Sequence, residues 1–131
     1  MQRILAVDDD IDILEVLQYI LEDSGYEVGA LSDGQYLFEK IDAFKPDLIL
    51  LDLMLGGLDG RELCREIKAK KKLVDIPVIL FSAGHNIGGL MHRKGAPDAF
   101  LEKPFELKEL LDAIESNLPA DNERRQYAAA V

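Results

Sequence analysis

The sequence predicts an α/β fold: a doubly wound sheet of five parallel strands packed between five helices. Three observations carry this. Short apolar runs without alternation, such as Leu48-Ile49-Leu50-Leu51, read as strands buried on both faces, the burial of a parallel sheet. Between the runs, apolar residues recur at helical spacing, most regularly at Leu107, Leu110, Leu111, Ile114 and Leu118. The runs also stop at chemistry-bearing residues: Asp8 and Asp9, Asp52, Ser82 and Lys103.

The first strand is Arg3 to Val7, ending at Asp8, Asp9 and Asp10. Helical spacing then starts at Asp12, with Glu15 as its capping-box partner, and stops at Ser24-Gly25. Glu27 to Leu31 is a less apolar strand, expected nearer an edge. Ser32 and Gln35 predict a capping box for a helix through Leu37, Phe38, Ile41 and Phe44. The strand from Asp47 to Leu51 follows, and a helix capped by Asp59 and Glu62 runs through Leu63 and Ile67. Lys68, Lys70, Lys71 and Lys72 suit its C-terminal dipole. Ile76 to Phe81 and Ala99 to Leu101 are the last two strands. The parallel crossover between them requires a helix within His85–Lys94, where Gly88 and Gly89 each cost up to ~1 kcal/mol relative to Ala. The final helix ends at Pro119. Residues 1–118 are thus expected to form one domain, and 119–131 a tail that is disordered or a severed linker.

Composition narrows the function. A chain of 131 residues with 48% hydrophobic content can bury one substantial core. A formal charge of −10 argues against direct nucleic-acid binding and against anionic membranes. No apolar run approaches the ~20 residues of a membrane span, and the N-terminus lacks a signal peptide's apolar segment. The single cysteine, Cys64, reads as a packed helical residue and not a nucleophile. With no internal disulfide, the expectation is a soluble protein of a reducing cytoplasm.

In a parallel sheet all strand C-termini share one edge, so Asp8, Asp9, Asp52, Ser82 and Lys103 are expected to meet there. Crowded carboxylates raise one another's pKa unless a cation joins them. Oxygen-only donors suit Mg²⁺; the His and Cys ligands of zinc are missing. A carboxylate beside Mg²⁺, an ammonium and a hydroxyl is equipped to accept a phosphoryl group.

The residues here resemble the receiver domain of two-component response regulators, in length the single-domain chemotaxis type. The matching pieces are Ile4-Leu5-Ala6-Val7-Asp8-Asp9, Leu50-Leu51-Asp52 with Leu58-Asp59-Gly60, Pro77 to Ala83, and Lys103-Pro104-Phe105. They lie in register from Met1 to about Leu118, which makes the match specific. The resemblance implies a flavodoxin-like strand order of 2-1-3-4-5. It implies that Asp52 takes phosphate from a phosphohistidine of a sensor histidine kinase or phosphotransfer protein. Asp9 and Asp52 would hold Mg²⁺ by their side chains and Met54 by its backbone carbonyl, with Asp8 holding metal-bound water. Ser82 and Lys103 would contact the phosphoryl group, and Phe100 would be the switch aromatic. Lys103-Pro104 would be a cis peptide. Phosphorylation would change the face of the fourth helix, fifth strand and last helix and so control a downstream protein, as a monomer or a phosphorylation-dependent dimer. The chain departs from the family at Leu55-Gly56-Gly57, where Met-Pro is common and a looser loop is expected, and in its Ser82 for Thr.

The alternative is an interaction module on the same fold that signals independently of phosphorylation. Enzyme readings fare worse. A phosphatase would need a further acid or base and a substrate pocket, and three Asp residues after the first strand would repel a flavin phosphate. The expectation is a phosphoacceptor and not an enzyme.

Overall fold

A computed structural model of the chain describes residues 1–83 and 94–119. All of the helix expected at His85–Lys94 except Lys94 itself, and the tail beyond Pro119, lie outside the described residues. Within them the order is β1 (Arg3–Val7), α1 (Ile11–Asp23), β2 (Glu27–Leu31), a 3₁₀ turn (Gly34–Tyr36), α2 (Leu37–Phe44) and β3 (Leu48–Asp52). A small hairpin of β4 (Met54–Leu55) and β5 (Leu58–Asp59) leads into α3 (Gly60–Ala69). Then come β6 (Val78–Ala83), β7 (Ala99–Lys103) and α4 (Leu107–Asn117). The main sheet has the order β2-β1-β3-β6-β7, all parallel. This is the predicted flavodoxin-like order, once the two hairpin strands are set aside.

The non-alternating runs are explained by covering on both faces. Successive strand residues point to opposite sides. Leu5, Val7, Ile49, Leu51, Val78 and Leu80 pack into one cluster with Leu37 and Ile41 of α2 and Leu63, Cys64 and Ile67 of α3. Their neighbours Ile4, Ala6, Leu48, Leu50, Ile79 and Phe81 pack into a second, with Leu14, Leu17 and Leu21 of α1 and Leu110 and Ile114 of α4. Glu27–Leu31 takes an outer position, as its lower apolarity predicts.

Three local expectations are corrected. The N-cap of α1 is Asp10, whose Oδ1 accepts from Asp12 N at 3.0 Å and Ile13 N at 3.4 Å, so Asp12 already lies within the helix. Asp33, not Ser32, caps the second helical segment, and it caps a 3₁₀ turn that precedes α2. Asp47 is a buried brace ahead of β3, its Oδ2 accepting from Arg3 N at 2.7 Å. The Asp59 cap of α3 is present, accepting from Arg61 N at 2.8 Å.

The loop after Asp52 is also tighter than expected. Gly56 takes a positive φ of 61°, which closes the β4–β5 hairpin. Gly60 then passes so close to the end of β3 that an added Cβ would meet the Asp52 carbonyl oxygen and lie 2.9 Å from Leu53 Cα. Its own N–H donates to Leu53 O at 2.8 Å. Gly60→Ala is therefore expected to destabilise the protein by roughly 1–3 kcal/mol through overpacking. Because the clash falls on the Asp52 backbone, a chemical denaturation curve should shift together with the Asp52 amide resonance.

Candidate functional site

The C-terminal edge of the sheet gathers the predicted side chains. Asp8 follows β1 and is fully buried; Asp52 closes β3 and is 6% exposed; Asp9 is exposed beside them. One carboxylate oxygen from each lies within 4.8 Å of the others. Lys103, the last residue of β7, reaches across β6, placing Nζ 3.1 Å from Asp8 Oδ2 and 3.6 Å from Asp52 Oδ2. The Phe81 ring lies under this ammonium at 4.7 Å from its centroid, and Phe105 packs edge-on against Phe81. The Lys103-Pro104 peptide is cis, as the resemblance implies.

Backbone donors orient the acids. Asp10 N donates to Asp8 Oδ1 at 2.9 Å, and Met54 N to Asp52 Oδ1 at 3.3 Å. Gly56 N donates to Asp9 Oδ2 at 3.0 Å, so the glycine hairpin holds the one exposed acid of the group. Sequence reasoning missed this contact, and missed Gly60 and the Phe81 platform. The Leu55-Gly56-Gly57 run is its visible trace in the sequence, and it forms a turn that aims an N–H in place of the looser loop expected.

Ser82 sits in β6, buried, with an Oγ that has no hydrogen-bond partner among the described residues. A buried hydroxyl left unpaired costs about 1–3 kcal/mol, which a ligand oxygen would recover. Phe100 is half-buried on β7, in register with Leu80 and packed on the α2–α3 side of the core. The Met54 side chain is exposed; only its backbone faces the site.

The electrostatics are unbalanced. Three carboxylates face one ammonium, leaving two negative charges. Burial and then the adjacent Asp8 charge push the Asp52 carboxyl up to about 6, against the downward pull of Lys103 and the Met54 N–H. An oxygen-only set with this residual charge fits a hard divalent cation.

Fold and site define a doubly wound α/β protein with a cluster of three acids and a lysine at the carboxyl edge of its sheet, the place such folds reserve for ligands. The chain belongs to the response regulator receiver domain family, whose model matches residues 4–115. Among solved structures, it is similar to a CheY-like response regulator receiver domain protein from Methanospirillum hungatei JF-1, with 28% identity, 96% of this chain and 98% of that chain covered, and a TM-score of 0.82. The receiver domain of NtrX from Brucella abortus is 34% identical over 88% of this chain and 97% of that one, with a TM-score of 0.78. The signal receiver domain of a signal transduction histidine kinase from Syntrophus aciditrophicus is 29% identical over 90% of each chain, with a TM-score of 0.81. Among the described residues no helix is long and apolar enough to cross a membrane.

Proposed function

We propose that Asp52 is the phosphoacceptor of a two-component pathway, taking a phosphoryl group from a phosphohistidine of a histidine kinase or phosphotransfer protein. The observation that carries this is the Lys103 ammonium shared between Asp8 and Asp52 at 3.1 and 3.6 Å, with Asp9 alongside. An Asp52 oxygen forms the new O–P bond as the P–N bond to the donor imidazole breaks. The imidazole leaves with the electron pair and takes its proton from water. Lys103 stands where charge grows on the phosphoryl oxygens. Ser82 Oγ, buried and without a partner among the described residues, would donate a hydrogen bond to one of them.

Asp9, Asp52 and the Met54 carbonyl would hold Mg²⁺, with Asp8 holding its bound water. Mg²⁺ bound there supplies positive charge against the acceptor carboxylate and the phosphoryl oxygens. Asp52 alone is insufficient for uptake, since at neutral pH an anionic nucleophile must meet an anionic donor. Once formed, the acyl phosphate draws Ser82, and with it the end of β6, toward the site. Phe100, in the neighbouring strand, then turns inward and changes the face of β7 and α4 that a downstream protein reads. The chain itself turns over no separate substrate, so it is a signalling phosphoacceptor and not an enzyme.

The test is incubation with acetyl phosphate, with Mg²⁺ or with EDTA, followed by intact mass measurement. One HPO₃ should add in Mg²⁺ and none in EDTA. Equal uptake in both would overturn the metal assignment, and no uptake from acetyl phosphate or a histidine kinase would overturn the reading itself.

A further inference from the structure

At the opposite edge of the sheet this acidic chain carries a patch of the other sign. α2 ends at Phe44 and α3 at Ala69, each returning toward the N-terminal end of the next main-sheet strand. A groove of about 430 Å³ opens between them, with an apolar floor of Phe38, Ile41 and Leu73 and a rim of Lys70, Lys71 and Lys72 together with the paired Lys45 and Asp42. Its volume is that of a binding site.

Helix-dipole compensation does not account for the rim. Lys45 is occupied locally, donating to Asp42 O at 3.1 Å and lying 3.8 Å from Asp42 Oδ1. Lys68 already serves the loop after α3, donating to Ile76 O and pairing with Asp98. Lys70, Lys71 and Lys72 are exposed, and none has a carboxylate partner among the described residues. Lys71 and Lys72 lie beyond the helix, and Lys70 hangs its ammonium 4.9 Å over the Phe38 ring. Three neighbouring cations therefore edge an apolar floor in a protein of charge −10.

We propose that this groove docks an acidic amphipathic segment of a partner protein. An apolar side chain sits on Phe38, Ile41 and Leu73, and flanking carboxylates meet Lys70, Lys71 and Lys72. The donor chemistry selects this occupant over a compact phosphate. Among the described residues the rim holds no guanidinium fork and no helix N-terminus, the groups that grip a compact phosphate. Lysines are flexible point charges, suited to carboxylates spread along a chain. The floor supplies the apolar anchor that such helix-in-groove or peptide contacts need. Long polyanions such as nucleic acid or an anionic bilayer meet the repulsion of the whole chain, whereas a short segment does not.

This docking site is remote from Asp52 and stands independently of the phosphoacceptor reading. The experiment is an amide-resonance titration of the full chain with a Glu-rich synthetic peptide carrying one Leu-Phe pair. Saturable shifts are expected at Phe38, Ile41 and Lys70 to Leu73, weakening as salt is added. K70Q/K71Q/K72Q should bind about tenfold or more weakly while melting as the wild type does, because three exposed charge pairs are lost. The triple Arg variant and Asp52→Asn should bind as the wild type does. Undiminished binding by the Gln variant, shifts that map elsewhere, or no shifts would overturn the proposal. So would inorganic phosphate or phosphatidylglycerol vesicles moving the same resonances more strongly than the peptide does.

Discussion

Asp52→Asn is expected to take up no phosphoryl group and, in the absence of metal, to be more stable than the wild type above pH 6. The first effect follows because an amide oxygen is a far weaker nucleophile than a carboxylate, and Asp8, bonded to Lys103 and Asp10 N, is not positioned to replace it. The second follows from linkage. The native Asp52 pKa of about 6 exceeds the 3.8 of an ordinary aspartate, so the folded state holds this proton more tightly than the unfolded one. Its contribution to stability is full below the unfolded value and is lost as pH rises through the native one. Above that window the wild type bears a buried charge that the amide lacks. The difference is about 1–3 kcal/mol at 1.36 kcal/mol per pKa unit. Thermal melts in EDTA should show the variant higher at neutral pH, with the gap closing as pH falls through 6 toward 4. Adding Mg²⁺ should raise the melting temperature of the wild type more than that of the variant. A variant that melts lower than the wild type at every pH would contradict the crowding account.

Lys103→Met is the second large effect. It strips the ammonium from between Asp8 and Asp52 while keeping a similar apolar stem over Phe81. Two acids that are both buried then face each other without a fixed cation. Removing a charge aimed at the developing phosphoryl oxygens costs on the order of a hundredfold in rate or more. The rate of phosphorylation by acetyl phosphate should fall by that amount, and the pKa of Asp52 should rise further because Lys103 is the larger of the two influences that pull it down. Carboxyl chemical shifts followed against pH would read that rise directly. If Lys103→Met were phosphorylated at the wild-type rate, the ammonium would have no part in the transfer.

Much of this was legible because strand periodicity and sheet topology are coarse rules that leave little freedom. A non-alternating run ending in Asp52, with similar runs ending near Asp8, Ser82 and Lys103, sends those residues to one edge whatever the details between them. The details were harder. Asp8, Asp9, Asp10 and Asp12 are all competent caps, and only the path of the chain off β1 selects Asp10 for α1 and turns Asp8 inward toward Lys103. Ser32 and Asp33 present the same ambiguity before a 3₁₀ turn that has no periodic signature of its own. The β4–β5 hairpin has two residues per strand, too few for any pattern to emerge. Its effect on the site, an N–H from Gly56 on Asp9, is a backbone contact and leaves no side-chain trace. The clearance at Gly60 is likewise visible only in three dimensions.

The central claim is that crowding of these acids around one lysine makes Asp52, and no neighbour, the atom that captures phosphate. Borohydride reduction of the phosphorylated protein tests it most directly, since an acyl phosphate is reduced to an alcohol at the modified carboxylate. Peptide sequencing by mass spectrometry should then find homoserine at position 52 alone. Homoserine at Asp8 or Asp9, or a phosphoryl group that resists reduction because it rests on Ser82 or another hydroxyl, would contradict the account.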